Sequence, residues 1–206
     1  CGTGGPTEIG KVEVYSVYEI TFEGPTCNST DTPARDIDFW VLFQHKSGKP
    51  SYKIYGFWDG DGSGGSKGNI FKIRFCPTTT GKWYLKKVYS NRPELSNQHR
   101  GDYITALPSS NKGFWIVDTI TPGGRWYKRS DGFHQYIFGN THYTFISGMD
   151  DSGPGKGDIV SDIIANSKYF NKLRFGVHGG RYAHPVDKPF FDDSGKPTDD
   201  GDYSHR

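Results

Sequence analysis

Ile37-Asp38-Phe39-Trp40-Val41-Leu42-Phe43 sets Ile37, Phe39, Val41 and Phe43 on one side of an extended chain. Successive side chains of a strand point to opposite faces, so this two-residue period is the mark of a strand with one face buried. The same alternation recurs on both sides of it. Lys11 to Phe22 alternates around Val12, Val14, Val17, Tyr18, Ile20 and Phe22; Tyr52 to Trp58, Ile70 to Phe75, Trp83 to Tyr89 and Phe114 to Val117 follow, with Gly, Pro, Asp and Asn between them. About six strands at this spacing, without a helical period among them, predict an antiparallel sandwich of roughly 100 residues. Its expected span is 11–117, behind a flexible N-terminal tether over 1–10.

Composition agrees. The 206 residues hold 28 Gly and 32 aromatics against only 5 Leu, 4 Ala and 5 Glu. Strong helix formers are scarce, whereas aromatics suit pleated, half-buried surfaces and Gly suits turns. No window approaches the ~18 uninterrupted apolar residues of a membrane span. A net charge of +2 gives no electrostatic case for nucleic acid as a partner.

Past Val117 the pattern changes. Pro122-Gly123-Gly124 cannot continue a strand, which makes 118–129 an expected linker. Phe133 to Phe138 and Tyr143 to Ile146 flank Gly139-Asn140 as an expected hairpin. Asp158 to Phe170 carries Ile159, Val160, Ile163 and Ile164 as a helical stripe, with Asp158 placed to cap it. Leu173 to Val177 follows as a short strand. Strand, helix and strand in that order predict a βαβ unit of a parallel sheet.

Four motifs carry a resemblance: Val17 to Gly24 ending in Phe22-Glu23-Gly24, Gly56-Phe57-Trp58-Asp59-Gly60-Asp61-Gly62, Ile73-Arg74-Phe75-Cys76-Pro77, and Thr80-Gly81-Lys82-Trp83-Tyr84. In this order they resemble the immunoglobulin-like N-terminal domain that precedes glycoside-hydrolase (β/α)8 barrels in exported bacterial proteins. Gly132 to Thr141 resembles the hairpin that opens such a barrel, and Lys172-Leu173-Arg174-Phe175-Gly176 its second strand. The resemblance implies a mainly β chain: an immunoglobulin-like sandwich followed by an incomplete α/β segment of TIM-barrel type over 130–206. A complete barrel needs about 250 residues, and 130–206 supplies 77. Glycoside hydrolysis needs a pair of carboxyl groups across the scissile bond, which the resemblance implies to be glutamates on later strands. No Glu follows Glu94. The expectation is a truncated barrel with no catalytic residue and a chain that is itself inactive.

Residues at the C-terminal ends of barrel strands build the active face. On the resemblance these are Asp150 and Asp151 after the first strand, beside Met149, and His178, Arg181 and His184 after the second, where Gly179 and Gly180 let the backbone bend. His and Arg donate to sugar hydroxyls and Asp accepts from them, which makes these five the expected substrate contacts. The competing reading is a solvated loop, since loops are polar by default. Trp40, Trp58, Trp83, Trp115 and Trp126 could form a sugar-stacking platform; Trp58 and Trp126, in or beside turns, are the better candidates for an exposed face, whereas Trp83 is expected in the core.

Metals and cofactors find little support. Asp59-Gly60-Asp61-Gly62-Ser63-Gly64 opens like a calcium loop, but its twelfth position is Ile70 where a Glu is needed, so a hairpin turn is expected. His178 and His184 lack the H-E-x-x-H pattern of a zinc site. No cofactor is expected. Cys1 before Gly2-Thr3-Gly4-Gly5 has the form of a lipoprotein start, in which Cys1 carries the lipid and attaches the chain to a membrane. Export to the bacterial periplasm or cell surface follows from that reading. Cys27 and Cys76 leave a disulfide and two free thiols both open. The functions in view are a carbohydrate-directed region of a polysaccharide-degrading glycoside hydrolase, a non-catalytic carbohydrate-binding sandwich, and a structural spacer.

Overall fold

The computed structural model describes residues 5–28, 30–63, 65–120, 124, 126–142 and 159–175. The chain is mainly β and forms two compact units, residues 1–135 and 136–206. The first unit runs β1 (Glu8–Glu13), β2 (Tyr18–Asn28), α1 (Pro33–Asp36), β3 (Phe39–His45), β4 (Ser51–Tyr55), β5 (Phe57–Trp58), β6 (Lys67–Phe75), β7 (Gly81–Ser90), α2 (Pro93–Ser96), β8 (Tyr103–Leu107), β9 (Trp115–Val117) and β10 (Tyr127–Arg129). The second holds β11 (Gly139–His142), α3 (Ile159–Ser167) and β12 (Lys172–Phe175).

A five-stranded sheet, β1-β8-β7-β3-β4, and a three-stranded sheet, β2-β6-β5, share one core. Alternation supplies it: Ile20 and Phe22 from β2, Phe71, Ile73 and Phe75 from β6, Phe39, Val41 and Phe43 from β3, and Trp83 and Leu85 from β7 are all buried. Rings from the two sheets meet edge to face or stacked, Phe22 on Phe39 at 4.9 Å and Phe43 on Phe75 at 4.0 Å between centroids. Aromatic pairs of this kind add to the gain from apolar burial itself. A bulge in β7 lets Lys86 slip out of register between Leu85 and Lys87, so the inward side passes from Leu85 to Val88.

The four sequence motifs are the points where this core closes. Phe22 is buried, and a Cβ on Gly24 would lie 2.7 Å from the Phe71 ring. Pro77 and Trp83 are fully buried. Gly81, at φ 121°, brings the start of β7 against His45, whose Nε2 would meet a Cβ there at 2.9 Å.

Several expectations need correction. Lys11 to Phe22 is two strands in different sheets, broken by a turn in which Ser16 N–H donates to Glu13 O and Tyr15 adopts φ 64°. Tyr103–Leu107, which the pattern did not single out, forms β8, and its pairing with β1 is parallel, so the five-stranded sheet is mixed. Residues 118–129 are no free linker, because Tyr127–Arg129 pairs antiparallel with Trp115–Val117 inside the first unit. Gly139-Asn140 is not a hairpin turn, since both residues lie within β11 and Phe133 to Phe138 is irregular, while Tyr143 to Ile146 lies outside the described residues. Instead β11 pairs in parallel with β12, and α3 lies between them in sequence. Among the described residues no closed barrel is formed.

Cys27 and Cys76 are free thiols. Cys27 pairs with Gly68 and Phe75 with Tyr18, which puts the two cysteines at opposite ends of the β2–β6 ladder. A separation of eight residues along a strand is about 26 Å, far beyond disulfide reach. Burial pushes both thiols above their ordinary pKa, and for Cys27 the nearby Asp31 adds to it.

Candidate functional site

On the face of the five-stranded sheet away from the core, inward Phe39, Val41 and Phe43 force Trp40 and Leu42 outward. Register places Tyr55 of β4 opposite Trp40, and Trp40 opposite Tyr89 of β7, so three aromatic residues form one row across three adjacent strands. Tyr89 stacks on Trp40 with centroids 5.0 Å apart and planes 22° apart. Tyr55 is 62% exposed and Tyr89 37%.

The next row is Lys53, Leu42 and Lys87, again directly opposed. Both ammonium groups lean back over the rings. Lys53 Nζ is 4.4 Å from the Trp40 centroid and 4.5 Å from that of Tyr55, and it donates to Tyr55 Oη at 2.7 Å. Lys87 Nζ lies 5.1 Å from Trp40 and 5.7 Å from Tyr89. Among the described residues neither lysine forms an ion pair. Further along the same face Tyr84 lies against Tyr103 at 5.5 Å, and Lys82 sits 4.2 Å over Tyr103, whose hydroxyl holds the Lys82 pKa above its ordinary value. The face can offer ring surface for C–H contacts and ammonium groups for anions or hydroxyls.

Charge clusters elsewhere in the first unit are compensated internally. On the smaller sheet Lys72 Nζ bridges Asp59 at 2.7 Å and Glu19 at 3.0 Å, and Arg74 Nε donates to Glu19 at 2.8 Å. The two cations hold the Glu19 carboxyl below the usual glutamate range, with the Arg74 hydrogen bond the larger cause. Asp61 accepts from the Ser63 and Gly65 N–H groups. The calcium-like stretch is therefore the turn that joins antiparallel β5 and β6, its carboxylates committed to Lys72 and to backbone N–H groups. Asp118, whose side chain is 1% exposed, accepts from Lys128 at 3.2 Å and pairs with His134 Nε2 at 2.8 Å.

Of the residues singled out in the sequence, Cys1, Asp150, Asp151, His178, Arg181 and His184 lie outside the described residues. Trp83 is in the core, its indole N–H donating to Thr79 O at 2.8 Å. Trp58 is not a free platform: it packs against the core and donates to Gly68 O at 3.1 Å. Trp126 is exposed at the β10 end of the hairpin. Trp40 is not one of the two tryptophans the sequence favours, although its place between inward Phe39 and Val41 is the signal for it.

The fold and face define a two-sheet β domain with an outward aromatic and cationic row. A family model described as a domain of unknown function (DUF5060) matches residues 11–89, the stretch that spans β3 to β7 and so the whole row. No curated protein matches the sequence. Among solved structures, the chain is similar to that of a protein from Bacteroides vulgatus described as a "putative glycoside hydrolase", with 24% identity and a TM-score of 0.62 over 91% of this chain and 34% of that one. The chain thus spans about one third of that protein's length, and at this identity the likeness is one of fold.

Proposed function

We propose that the chain is a region of an exported polysaccharide-degrading glycoside hydrolase. Its first unit would be an immunoglobulin-like accessory domain, and its second the opening βαβ segment of a (β/α)8 barrel. The observation that carries this is the shared fold with a structure described as a "putative glycoside hydrolase", over 91% of the chain. The parallel pairing of β11 with β12 across α3 is the connection such a barrel repeats. On the same reading Asp150, Asp151, His178, Arg181 and His184 contact sugar at the barrel face, and Cys1 carries the lipid of an exported protein. The catalytic carboxylates then come from outside these residues, and the 206-residue chain alone turns over no glycoside.

Gene sequence beyond the codon for Arg206 tests this. Two glutamates at the ends of later predicted strands support it, and an open reading frame encoding no further βα units overturns it. Glycosidase turnover by the purified 206-residue chain would overturn the inactive assignment.

A second reading is favoured by the Tyr55, Trp40 and Tyr89 row. The first unit is itself a carbohydrate-binding module, holding the enzyme on its polymer while contributing nothing to bond cleavage. A spacer would have no use for a row of aligned rings of which Tyr55 and Tyr89 are exposed, and retention of the chain on an insoluble or immobilised glycan separates the two.

A further inference from the structure

We infer that the outer face of β3, β4 and β7 binds an acidic, uronate-bearing glycan chain, with Tyr55, Trp40 and Tyr89 as ring contacts and Lys53 and Lys87 as partners for its carboxylates. This rests on the carbohydrate reading of the first unit and adds the chemistry of the chain it takes.

The argument is one of charge complementarity on an ordered row. Two ammonium groups lie within 5.1 Å of one indole centroid, which brings like charges together with no carboxylate paired to either among the described residues. Other cations of the domain do have carboxylate partners, Lys72 with Asp59 and Glu19, Arg74 with Glu19 and Lys128 with Asp118, whereas Lys53 and Lys87 converge on one indole. An unmatched cation pair is what an anionic ligand would complete.

The rings hold both ammoniums in place, so less side-chain freedom is lost when an anion arrives. Lys53 spends one N–H on Tyr55 Oη and keeps two for a carboxylate. The row crosses two inter-strand gaps, about 10 Å, a length on the scale of a disaccharide, with the most exposed ring, Tyr55, at one end. Sugar C–H groups pack on aromatic surface while a carboxylate on each residue stays at the edge of the chain. A uronate polymer presents both along one strand. Polyphosphate is a poorer match, because nucleic-acid affinity draws on many cations at once and the whole chain carries a net charge of only +2.

The test is calorimetric titration of the 206-residue chain with oligogalacturonate, a neutral β-1,4-glucan oligosaccharide of the same length, and oligouridylate. Oligogalacturonate is expected to bind, more weakly as salt is raised. The double substitution Lys53→Ala/Lys87→Ala should weaken it about tenfold, the scale of two exposed charge contacts, with the urea midpoint little changed. Tyr55→Ala, at an exposed position, should also weaken it, and serves if Trp40→Ala fails to fold. Equal affinity for the neutral chain, or no effect of the lysine substitutions, overturns the acidic specificity while leaving carbohydrate binding standing. Preference for oligouridylate, or binding to neither glycan, overturns the inference altogether. The glycoside-hydrolase reading is decided separately, by the gene sequence.

Discussion

Trp83 shows what a single side chain does here. It is fully buried, stacks on Tyr52 at 5.7 Å, meets Phe75 at 5.2 Å and His45 at 5.3 Å, and its indole N–H satisfies the Thr79 carbonyl. Trp83→Ala removes the ring contacts and leaves a cavity, so a loss of about 3–5 kcal/mol is expected, read as a lowered urea midpoint by circular dichroism. Trp83→Phe should cost less, since it keeps a ring and forfeits the indole hydrogen bond and only part of the buried ring volume. Glu19 gives a pH-dependent counterpart. Arg74 and Lys72 depress its pKa in the folded state, so its stabilising effect is complete above the ordinary glutamate pKa and is lost as pH falls through the lower folded value. Glu19→Gln should therefore lower the urea midpoint at pH 7, and the gap to wild type should close toward pH 3. A gap independent of pH would mean that the carboxylate charge is not what stabilises this sheet.

At the level of elements, the turn between β5 and β6 depends on backbone that only glycine accommodates. Gly60 has φ 60°, and a Cβ there would collide with the Gly65 carbonyl oxygen. The left-handed conformation alone costs a non-glycine residue about 1–2 kcal/mol, and the collision adds to it. Gly60→Ala is thus expected to lower the melting temperature by more than Gly48→Ala, because Gly48 also has positive φ but open space around it. Equal effects would show that the collision relaxes freely. These elements were unevenly legible in the sequence. Strands β3, β4, β6 and β7 could be read because each alternates large apolar residues against polar ones. The break at Tyr15 could not, because the apolar pattern runs across a turn that only the pairing of β1 with β8 and β2 with β6 imposes. The short helices α1 and α2 were invisible to a periodicity that needs several turns, although Leu95 in α2 is fully buried. The aromatic row lay in plain view as far as Trp40, but its union with Tyr55 and Tyr89 depends on register between strands far apart in sequence, which composition and spacing do not encode.

At the scale of the molecule, burial among the described residues is unequal. Among the described residues, the apolar core, from Val14 to Ala106, belongs to the first unit. Among the described residues of the second, the buried side chain is Asn166, which accepts from Asn140 at 2.9 Å and donates to Asp162 O at 2.8 Å. Phe138 stacks on Phe170 at 5.1 Å, yet Ile163, Ile164, Tyr169 and Phe175 remain 41% to 74% exposed. A parallel strand pair is normally covered on both faces, and exposed apolar surface on this scale calls for a covering partner. Local stability follows buried apolar contact, so the two units should open with different free energies. Hydrogen exchange is expected to give the slowest amides in β2, β3, β6 and β7, with opening energies near the global value. Amides of β11, α3 and β12 should exchange through a smaller opening that leaves the first unit intact. Equal protection of both regions in a monomer would mean that the βαβ segment is finished as it stands, and the barrel reading of the second unit would fall with it.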